Sequence, residues 1–129
     1  EAEVSQHYVD KLRTATPTIN QKAMFLSGGN QQKVVLSKWL FSDSEIIIFD
    51  EPTRGIDVGA RREIYQIIND LVADGKTVVV VSSDMEEIMG VSDRILVMYE
   101  GKVAGEVRKE DFSQSLITEY AVGERTQPV

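Results

Sequence analysis

The sequence predicts an α/β fold in which a mostly parallel sheet is flanked by helices, and three observations support this. Short apolar runs alternate with longer segments whose apolar residues recur at helical spacing. Two of the short runs are uninterrupted, as is typical of parallel strands that are buried on both faces. A two-residue turn late in the chain indicates an antiparallel hairpin. Strands that alternate with helices are expected in a parallel sheet with crossover helices.

The first half of the chain predicts two helices and a strand. Ala2–Arg13 has apolar residues at helical spacing and precedes a Thr-Pro-Thr segment that ends it. Ser27 is the N-cap candidate of a second helix that runs to residue 41, and we expect Trp39 of this helix in the core. Glu45–Asp50 is apolar but too short for a helix. We therefore expect it to be a strand buried on both faces.

The second half predicts the rest of the sheet. Asp57 can cap a helix over Val58–Ala73, whose apolar stripe stops before Gly75. The remaining predicted elements are a strand at Lys76–Ser82, a helix at Asp84–Gly90, a strand at Arg94–Tyr99, a turn at Glu100-Gly101, a strand at Lys102–Val107 and a helix at Lys109–Ala121. We expect one domain over 1–122, helical over 1–43 and with the core over 44–122, and a polar tail over 123–129.

The composition excludes several functional classes. With 129 residues, 42% of them hydrophobic and 27% charged, the chain has the proportions of one globular domain. Its net charge of −7 argues against nucleic acid as a direct ligand, because binding a phosphate backbone needs a basic surface. The absence of cysteine excludes disulfides and thiolate metal sites. The apolar runs are far shorter than the roughly 20 residues of a membrane helix, and no basic, apolar leader opens the chain.

A hydroxyl and two glycines stand at the predicted start of the second helix, in the segment Leu26-Ser27-Gly28-Gly29-Asn30-Gln31-Gln32-Lys33. A helix N-terminus favours an anion such as phosphate because its first N–H groups are free and its dipole is positive there. The glycines let a ligand approach the backbone. The same pattern also serves as a plain helix cap or turn, so the motif alone leaves both interpretations open.

Two acidic residues, Asp50 and Glu51, end the first predicted strand. Ligands of open parallel sheets gather at the carboxyl ends of the strands. One of these acids can hold a magnesium ion, and the other can orient a water molecule. The alternative is a solvated strand end that caps the following turn.

Taken together and in this order, the two motifs resemble those of the nucleotide-binding domain of ABC ATPases, and the match covers nearly the whole chain. In that family the first motif is the signature sequence, the second is the Walker B strand, and the segment 54–57 stands at the D-loop. More narrowly, the segments 53–60 and 81–94 resemble the second ATPase half of bacterial monosaccharide importers. The resemblance implies a partial P-loop NTPase fold, with a remnant of the helical signature subdomain, the Walker B core, and a C-terminal hairpin plus helix.

The resemblance also implies a nucleotide site shared between two ATPase halves. Ser27, Gly28 and Gly29 would bind the γ-phosphate of an ATP molecule held by the P-loop of the partner half. Asn30, which replaces the usual glutamine of the signature, and Asp57, which would communicate across the dimer seam, complete this nucleotide-binding group. The alternative for Asp57 is an ordinary helix N-cap, and both roles are compatible.

Within its own half, the chain would supply the catalytic acids. By the resemblance, Asp50 reaches magnesium through water, and Glu51 is the general base that polarises the attacking water. Ser83 occupies the position of the switch histidine of the family. Because serine has no pKa near neutrality, the ATP site that receives this Walker B strand is expected to be slow or silent.

A Walker A loop is missing from this sequence. Such a loop requires G-x-x-x-x-G-K-[ST], and the nearest match, Gly75-Lys76-Thr77, has Asp70 in place of the first glycine and is followed by a predicted strand. We interpret this match as a helix C-cap before a strand. The chain thus resembles the later part of an ABC domain, and alone it is expected to be inactive and not to bind ATP tightly.

The implied function is that of the ATP-hydrolysing subunit of a bacterial sugar importer, cytoplasmic and peripheral on the inner face of the cell membrane. Its partners would be the other ATPase half, a membrane permease and, indirectly, a sugar-binding protein. One alternative is a soluble ABC ATPase that acts on ribosomes or DNA, which the negative charge disfavours. Another is a stand-alone binding or structural module. Because the sheet would lack its P-loop strand, its uncovered edge predicts self-association of the isolated chain.

Overall fold

Residues 1–127, which the computed structural model describes, fold into five α-helices and four strands, and the predicted α/β class is confirmed. They divide into two units, one spanning Glu1–Val81 and the other beginning at Ser82. The first unit contains α1 (Ala2–Lys11), α2 (Gly28–Phe41), β1 (Ile46–Asp50), α3 (Val58–Ala73) and β2 (Thr77–Val81). The second contains α4 (Met85–Val91), β3 (Arg94–Tyr99), β4 (Lys102–Arg108) and α5 (Gln114–Ala121). Short 3-10 segments lie at Ala23–Phe25 and Lys109–Asp111.

In the first unit, β1 and β2 pair in parallel, and α3 is the crossover between them. Their register runs from Ile46 opposite Thr77 to Asp50 opposite Val81. One face of β1 packs on the apolar stripe of α3, as expected for a strand, crossover helix and parallel strand. The core of this unit consists of Leu12, Leu36, Ile47, Phe49, Ile64, Ile67, Ile68 and Leu71.

The other face of this parallel pair is exposed, which corrects the prediction of a strand buried on both faces. Ile47 and Phe49 are 7% and 6% exposed, whereas Ile46 and Ile48 are 62% and 68% exposed. Val79 and Val81 of β2 are exposed as well. We call the four side chains Ile46, Ile48, Val79 and Val81 the bare face. The run Ile46-Ile47-Ile48 is apolar on both sides, yet only one side is covered within the described residues.

Trp39 was expected in the core, and this expectation is wrong for the described residues. Its side chain is 57% exposed and lines an open groove of about 360 Å³ together with Val35, Ile46 and Ile48. The buried residues of α2 are instead Gly29, Lys33 and Leu36. The buried positions of α2 therefore recur every three or four residues, and Trp39 lies one position away from this series.

In the second unit, β3 and β4 form the predicted antiparallel hairpin. Its turn residues Glu100 and Gly101 both have positive φ, 47° and 76°, as the favoured two-residue turns require. A register shift lies between Val97 and Met98. The hairpin packs against α5 in a second core of Ile95, Val97, Ala104, Val107, Ile117 and Tyr120.

The last predicted helix, Lys109–Ala121, is divided in the structure. Lys109–Asp111 is a 3-10 turn, and α5 begins only at Gln114, after an extended Ser113 with φ −147°. The hydroxyl of Ser113 accepts a hydrogen bond from the Leu116 N–H at 3.5 Å and marks the new helix start. The apolar residues on both sides of this break suit a single helical stripe, which is why periodicity alone merged the two segments.

The described part of the polar tail contacts β4 and α5 of the second unit. The Gln127 N–H donates to the Ala104 carbonyl at 2.7 Å, and the Tyr120 hydroxyl donates to Gln127 Oε1 at 3.1 Å. Residues 128 and 129 of the predicted tail lie outside the described residues. Among residues 1–127, no helix combines the length and the hydropathy that crossing a membrane requires.

Candidate functional site

The N-termini of α2 and α3 open into one small pocket of about 250 Å³. Its lining consists of Ser27, Gly29, Asn30, Asp57, Gly59, Ala60 and Glu63. Four of the predicted nucleotide-binding residues, which are up to 30 positions apart in the chain, thus share one concave surface. Gly59, Ala60 and Glu63 were not predicted. Their helical position after Asp57 is the signal that could have identified them, because a helix that contributes its N-cap also contributes its first turns.

Gly28 and Gly29 are adjacent but have different surroundings. A Cβ built on Gly29 would lie 2.5 Å from Cβ of Ala60, so the contact between α2 and α3 requires glycine at this position. A Cβ on Gly28 would lie 3.5 Å from Cγ2 of Ile56, which is an ordinary contact. Gly29 is therefore required by packing, whereas the fold leaves the side-chain position of Gly28 open.

The backbone at the start of α2 can bind an anion. The Gln31 N–H makes the first helical bond, to the Ser27 carbonyl at 2.8 Å, so the N–H groups that precede it have no acceptor within the helix. Such groups, together with the helix dipole, attract phosphate oxygens. The start of α3 lines the same pocket, and its dipole has the same sign there. Two helix N-termini therefore act on one small volume.

Ser27 occupies the predicted N-cap position, but its side chain makes no capping bond to the helix backbone. Its Oγ instead accepts a hydrogen bond from Asn30 Nδ2 at 2.8 Å. The backbone of Ser27 is extended, with φ −60° and ψ 156°, as expected at the N-cap. The predicted cap is thus confirmed in backbone conformation and corrected in side-chain chemistry.

Two side chains of α2 form hydrogen bonds with the segment that follows α1. Asn30 Oδ1 accepts a hydrogen bond from the Ala15 N–H at 2.8 Å. Lys33 Nζ donates to the Arg13 carbonyl at 2.9 Å and forms a 2.7 Å ion pair with Glu63. Lys33 is 3% exposed, and a buried ammonium requires such partners. Lys33 was not predicted as a site residue, although its place one helical turn after Asn30 puts both residues on the same face of the helix.

Asp57 is the N-cap of α3. Its Oδ1 accepts a hydrogen bond from the Ala60 N–H at 3.0 Å, so the predicted capping role is confirmed. Its carboxylate and that of Glu63 also line the pocket, and Lys33 balances the charge of Glu63. The pocket therefore combines helix N-termini, a hydroxyl and an amide with one paired carboxylate and one capping carboxylate.

The two acids at the end of β1, Asp50 and Glu51, lie outside this pocket. Glu51 has a left-handed backbone with φ 47°, and its N–H extends the parallel ladder by donating to the Val81 carbonyl at 2.8 Å. Asp50 is exposed at the end of the strand and lines the groove beside the bare face. The fold thus places both acids at the carboxyl end of a parallel strand, as predicted, but not with Ser27.

The residues present fit a magnesium ion bound through water. Within residues 1–127, no cluster of three or more histidine, aspartate or glutamate side chains could enclose a metal ion. Magnesium keeps several waters and is usually bound through one or two carboxylates and substrate phosphates, so an exposed carboxylate such as Asp50 suits it.

Ser83 lies in the second unit, exposed and directly before α4. The next residue, Asp84, caps α4 by accepting hydrogen bonds from the N–H groups of Glu86 and Glu87 at 3.0 and 3.2 Å. The assignment of Ser83 to a switch position remains a prediction.

Comparisons with known proteins agree with the motifs. The family described as ABC transporter matches residues 1–54. The ribose import ATP-binding protein RbsA of Clostridium perfringens (strain SM101 / Type A) is 50% identical over 123 residues, which are 95% of this chain and 25% of that protein. A putative ribose/galactose/methyl galactoside import ATP-binding protein of Burkholderia lata is 52% identical over 119 residues, 92% of this chain and 23% of that protein. The chain therefore spans about a quarter of the length of these relatives.

Solved structures give the same picture of the fold. An ATP-binding cassette of an ABC transporter superposes with a TM-score of 0.80 at 25% identity, over 94% of this chain and 49% of that chain. A dimeric cassette in a post-hydrolysis state, bound to ADP and phosphate, superposes with a TM-score of 0.72 at 30% identity, over 85% of this chain and 47% of that chain.

Proposed function

Because the chain is homologous over 95% of its length to the ATP-binding proteins of ABC sugar importers, we propose that it is part of an ATPase that drives monosaccharide uptake. The names of these relatives are those of ATP-binding proteins for the import of ribose or of ribose, galactose and methyl galactoside, and we extend to this chain only the broader class of monosaccharides. The observation that carries the proposal is the pocket where two helix N-termini, Ser27 and Asn30 meet. The helix N-termini, the Ser27 hydroxyl and the Asn30 amide bring hydrogen-bond donors to this pocket, beside the carboxylates of Asp57 and Glu63.

In this proposal the pocket acts in trans. Ser27 and the N–H groups of Gly28 and Gly29 bind the γ-phosphate of an ATP molecule that the P-loop of another ATPase half holds. Phosphoryl transfer depends mainly on positioning and charge stabilisation, and a rigid helix N-terminus provides both. Asp57 lies at the rim of the same pocket and would transmit closure between the two halves.

The two acids at the end of β1 act in cis. Glu51 polarises the attacking water as general base, and its left-handed backbone turns the chain at the strand end. Asp50 would hold a magnesium ion through water, and the ion would supply positive charge to neutralise the phosphate oxygens. Ser83 replaces a histidine that would donate to the reacting phosphate. If that histidine contributes as one electrostatic donor, its absence slows this site by about 100-fold to 1000-fold.

The result is an asymmetric ATPase. The site completed by the Ser27 pocket hydrolyses ATP, and the site that uses Asp50 and Glu51 mainly binds it. The partners in this proposal are the other ATPase half, a membrane permease and, indirectly, a sugar-binding protein. We place the protein in the cytoplasm, on the inner face of the cell membrane.

ATP turnover by the full-length protein with its permease tests the proposal. We expect Ser27→Arg to abolish turnover, because the guanidinium fills the pocket, and Ser83→His to leave turnover intact or to raise it. Ser115→Arg, at an exposed serine of α5, is the matched control and should retain parental turnover. If Ser27→Arg has no effect while Glu51→Gln alone stops turnover, this half hydrolyses its own ATP and the asymmetric mechanism is wrong.

A further inference from the structure

We propose that Asn30 is a positioning residue that directs the hydroxyl hydrogen of Ser27 into the pocket, and that it does not itself bind the nucleotide. This inference rests on the proposed function, in which Ser27 contacts a phosphate. It assigns to Asn30 a role different from the direct nucleotide contact that the signature resemblance implies.

The orientation of the Asn30 amide follows from its two partners. A backbone N–H can only donate, so the atom of Asn30 that faces the Ala15 N–H at 2.8 Å must be the oxygen Oδ1. The amide nitrogen Nδ2 then faces Ser27 Oγ at 2.8 Å and donates to it. Since Oγ accepts this bond, the hydroxyl hydrogen of Ser27 points elsewhere. Ser27 and Asn30 both line the pocket, so this hydrogen is available to an anion bound there.

Lys33 holds the segment that carries the Ala15 N–H, the first group in this series of hydrogen bonds. Its ammonium binds the Arg13 carbonyl at 2.9 Å, two residues before Ala15. Arg13 has a left-handed backbone with φ 50°, a conformation that is common just after a helix end. Lys33 also forms a 2.7 Å ion pair with Glu63, and this pair connects Lys33 to α3. The Ala15 N–H is therefore presented to Asn30 by a fixed turn.

Two substitutions separate this role from general support of the fold. Asn30→Asp keeps an acceptor for the Ala15 N–H but replaces the donor that faces Ser27 by a second acceptor. The Ser27 hydroxyl must then donate to the new carboxylate and present a lone pair to the phosphate. Asn30→Leu has nearly the same shape as asparagine, and it removes both bonds without adding charge.

The experiment is a double-mutant cycle on kcat for ATP in the full-length protein with its permease. We expect Asn30→Leu to lower kcat about 10-fold, the factor that corresponds to one net hydrogen bond. We expect Asn30→Asp to lower kcat further, with little change in KM, because the P-loop of the other half holds ATP. In the Ser27→Ala background, Asn30→Leu should lower kcat by less than about 2-fold, since no hydroxyl is left to direct.

Asn69→Asp makes the same chemical change at an exposed position of α3 and should leave kcat unchanged. Thermal unfolding of each variant identifies any that fails to fold, and Asn30→Asp, which keeps the Ala15 bond, then replaces Asn30→Leu in the cycle. If substitution of Asn30 lowers kcat by the same factor with and without the Ser27 hydroxyl, Asn30 acts through the fold and the inference is overturned. If Ser27→Ala itself leaves kcat unchanged, the proposed function fails instead.

Discussion

At the scale of single residues, adjacent positions in the site have very different surroundings. Ser27 was predicted at the helix start from the residue type and the glycines after it, and the backbone agrees. The partner of its hydroxyl was not predictable, because that partner is oriented by Ala15, which lies 15 residues before Asn30 in the chain. Local propensity identifies a cap, whereas a side-chain hydrogen-bond chain depends on tertiary contacts.

The two glycines give a test at this scale. Gly29→Ala should lower the free energy of unfolding by about 1–3 kcal/mol, because the new methyl group overlaps Ala60. Gly28→Ala should leave stability unchanged or slightly raised, because alanine is the better helix residue and has room there. Denaturant unfolding of the full-length variants measures both. Equal losses for the two would contradict the tight approach of α2 to α3.

At the scale of elements, the accuracy of prediction followed the number of independent signals. The bounds of α3, Val58–Ala73, were predicted to the residue because a cap, an apolar stripe and Gly75 agree. The φ of Gly75, 85°, agrees with the helix-ending role, and the strand that begins at Thr77 stands where a phosphate loop requires a helix. By contrast, the start of α5 was missed because an apolar stripe runs across Ser113 without a glycine or proline to interrupt it.

An ion pair joins the beginnings of the two parallel strands and predicts a pH dependence. Lys76 Nζ lies 2.7 Å from Asp43 Oδ1, and this hydrogen bond, together with the lysine charge, holds the pKa of Asp43 below its ordinary value of 3.8. Since the folded pKa is the lower one, the pair stabilises the fold above the unfolded pKa, and this contribution is lost as pH falls through the folded pKa. Asp43 is exposed, so the effect on stability is small.

Carboxyl NMR titration checks this prediction. In Lys76→Met the titration midpoint of Asp43 should rise towards 3.8. Lys38→Met removes an exposed lysine of α2 and serves as the control, which should leave the midpoint unchanged. If neither substitution changes the titration midpoint of Asp43, the Lys76 contact does not persist in solution.

At the scale of the whole molecule, the bare face is the feature that sequence reasoning misjudged. The composition and periodicity of Glu45–Asp50 are those of a strand covered on both sides, but the described residues cover one. A pattern of apolar residues predicts that a face is buried, and it does not identify the segment that buries it. The family resemblance implied a missing P-loop strand, which concerns the edge of the sheet and not this face.

Self-association of the isolated chain is the first prediction at this scale. Ile46, Ile48, Val79 and Val81 form a contiguous apolar surface, and such surfaces drive association. Sedimentation at several concentrations should give a mass that rises with concentration, and Ile48→Lys should reduce this rise. Val122→Lys, at an exposed apolar position in the second unit, should not. A concentration-independent monomer mass for the parent chain would contradict the prediction.

A second prediction concerns catalysis by the isolated chain. The sequence contains no G-x-x-x-x-G-K-[ST] segment, so the chain by itself has no loop to hold the β- and γ-phosphates. We expect no ATP turnover above the buffer rate and no saturable ATP binding at micromolar concentrations. Phosphate-release and equilibrium-binding assays measure the two quantities, and turnover that Glu51→Gln abolishes would contradict the prediction.

The groove beside the bare face also gives the protein an intrinsic optical probe. Trp39 is the one tryptophan in the sequence, and its indole lies at the edge of this groove, largely in solvent. A solvated indole emits at longer wavelength than a buried one, so any segment that covers the groove will shift the fluorescence to the blue. Because the sequence has no cysteine, a single thiol introduced on β2 could carry an environment-sensitive dye without competing labels. Coverage of this face can thus be followed in real time by the emission of Trp39 and of the dye.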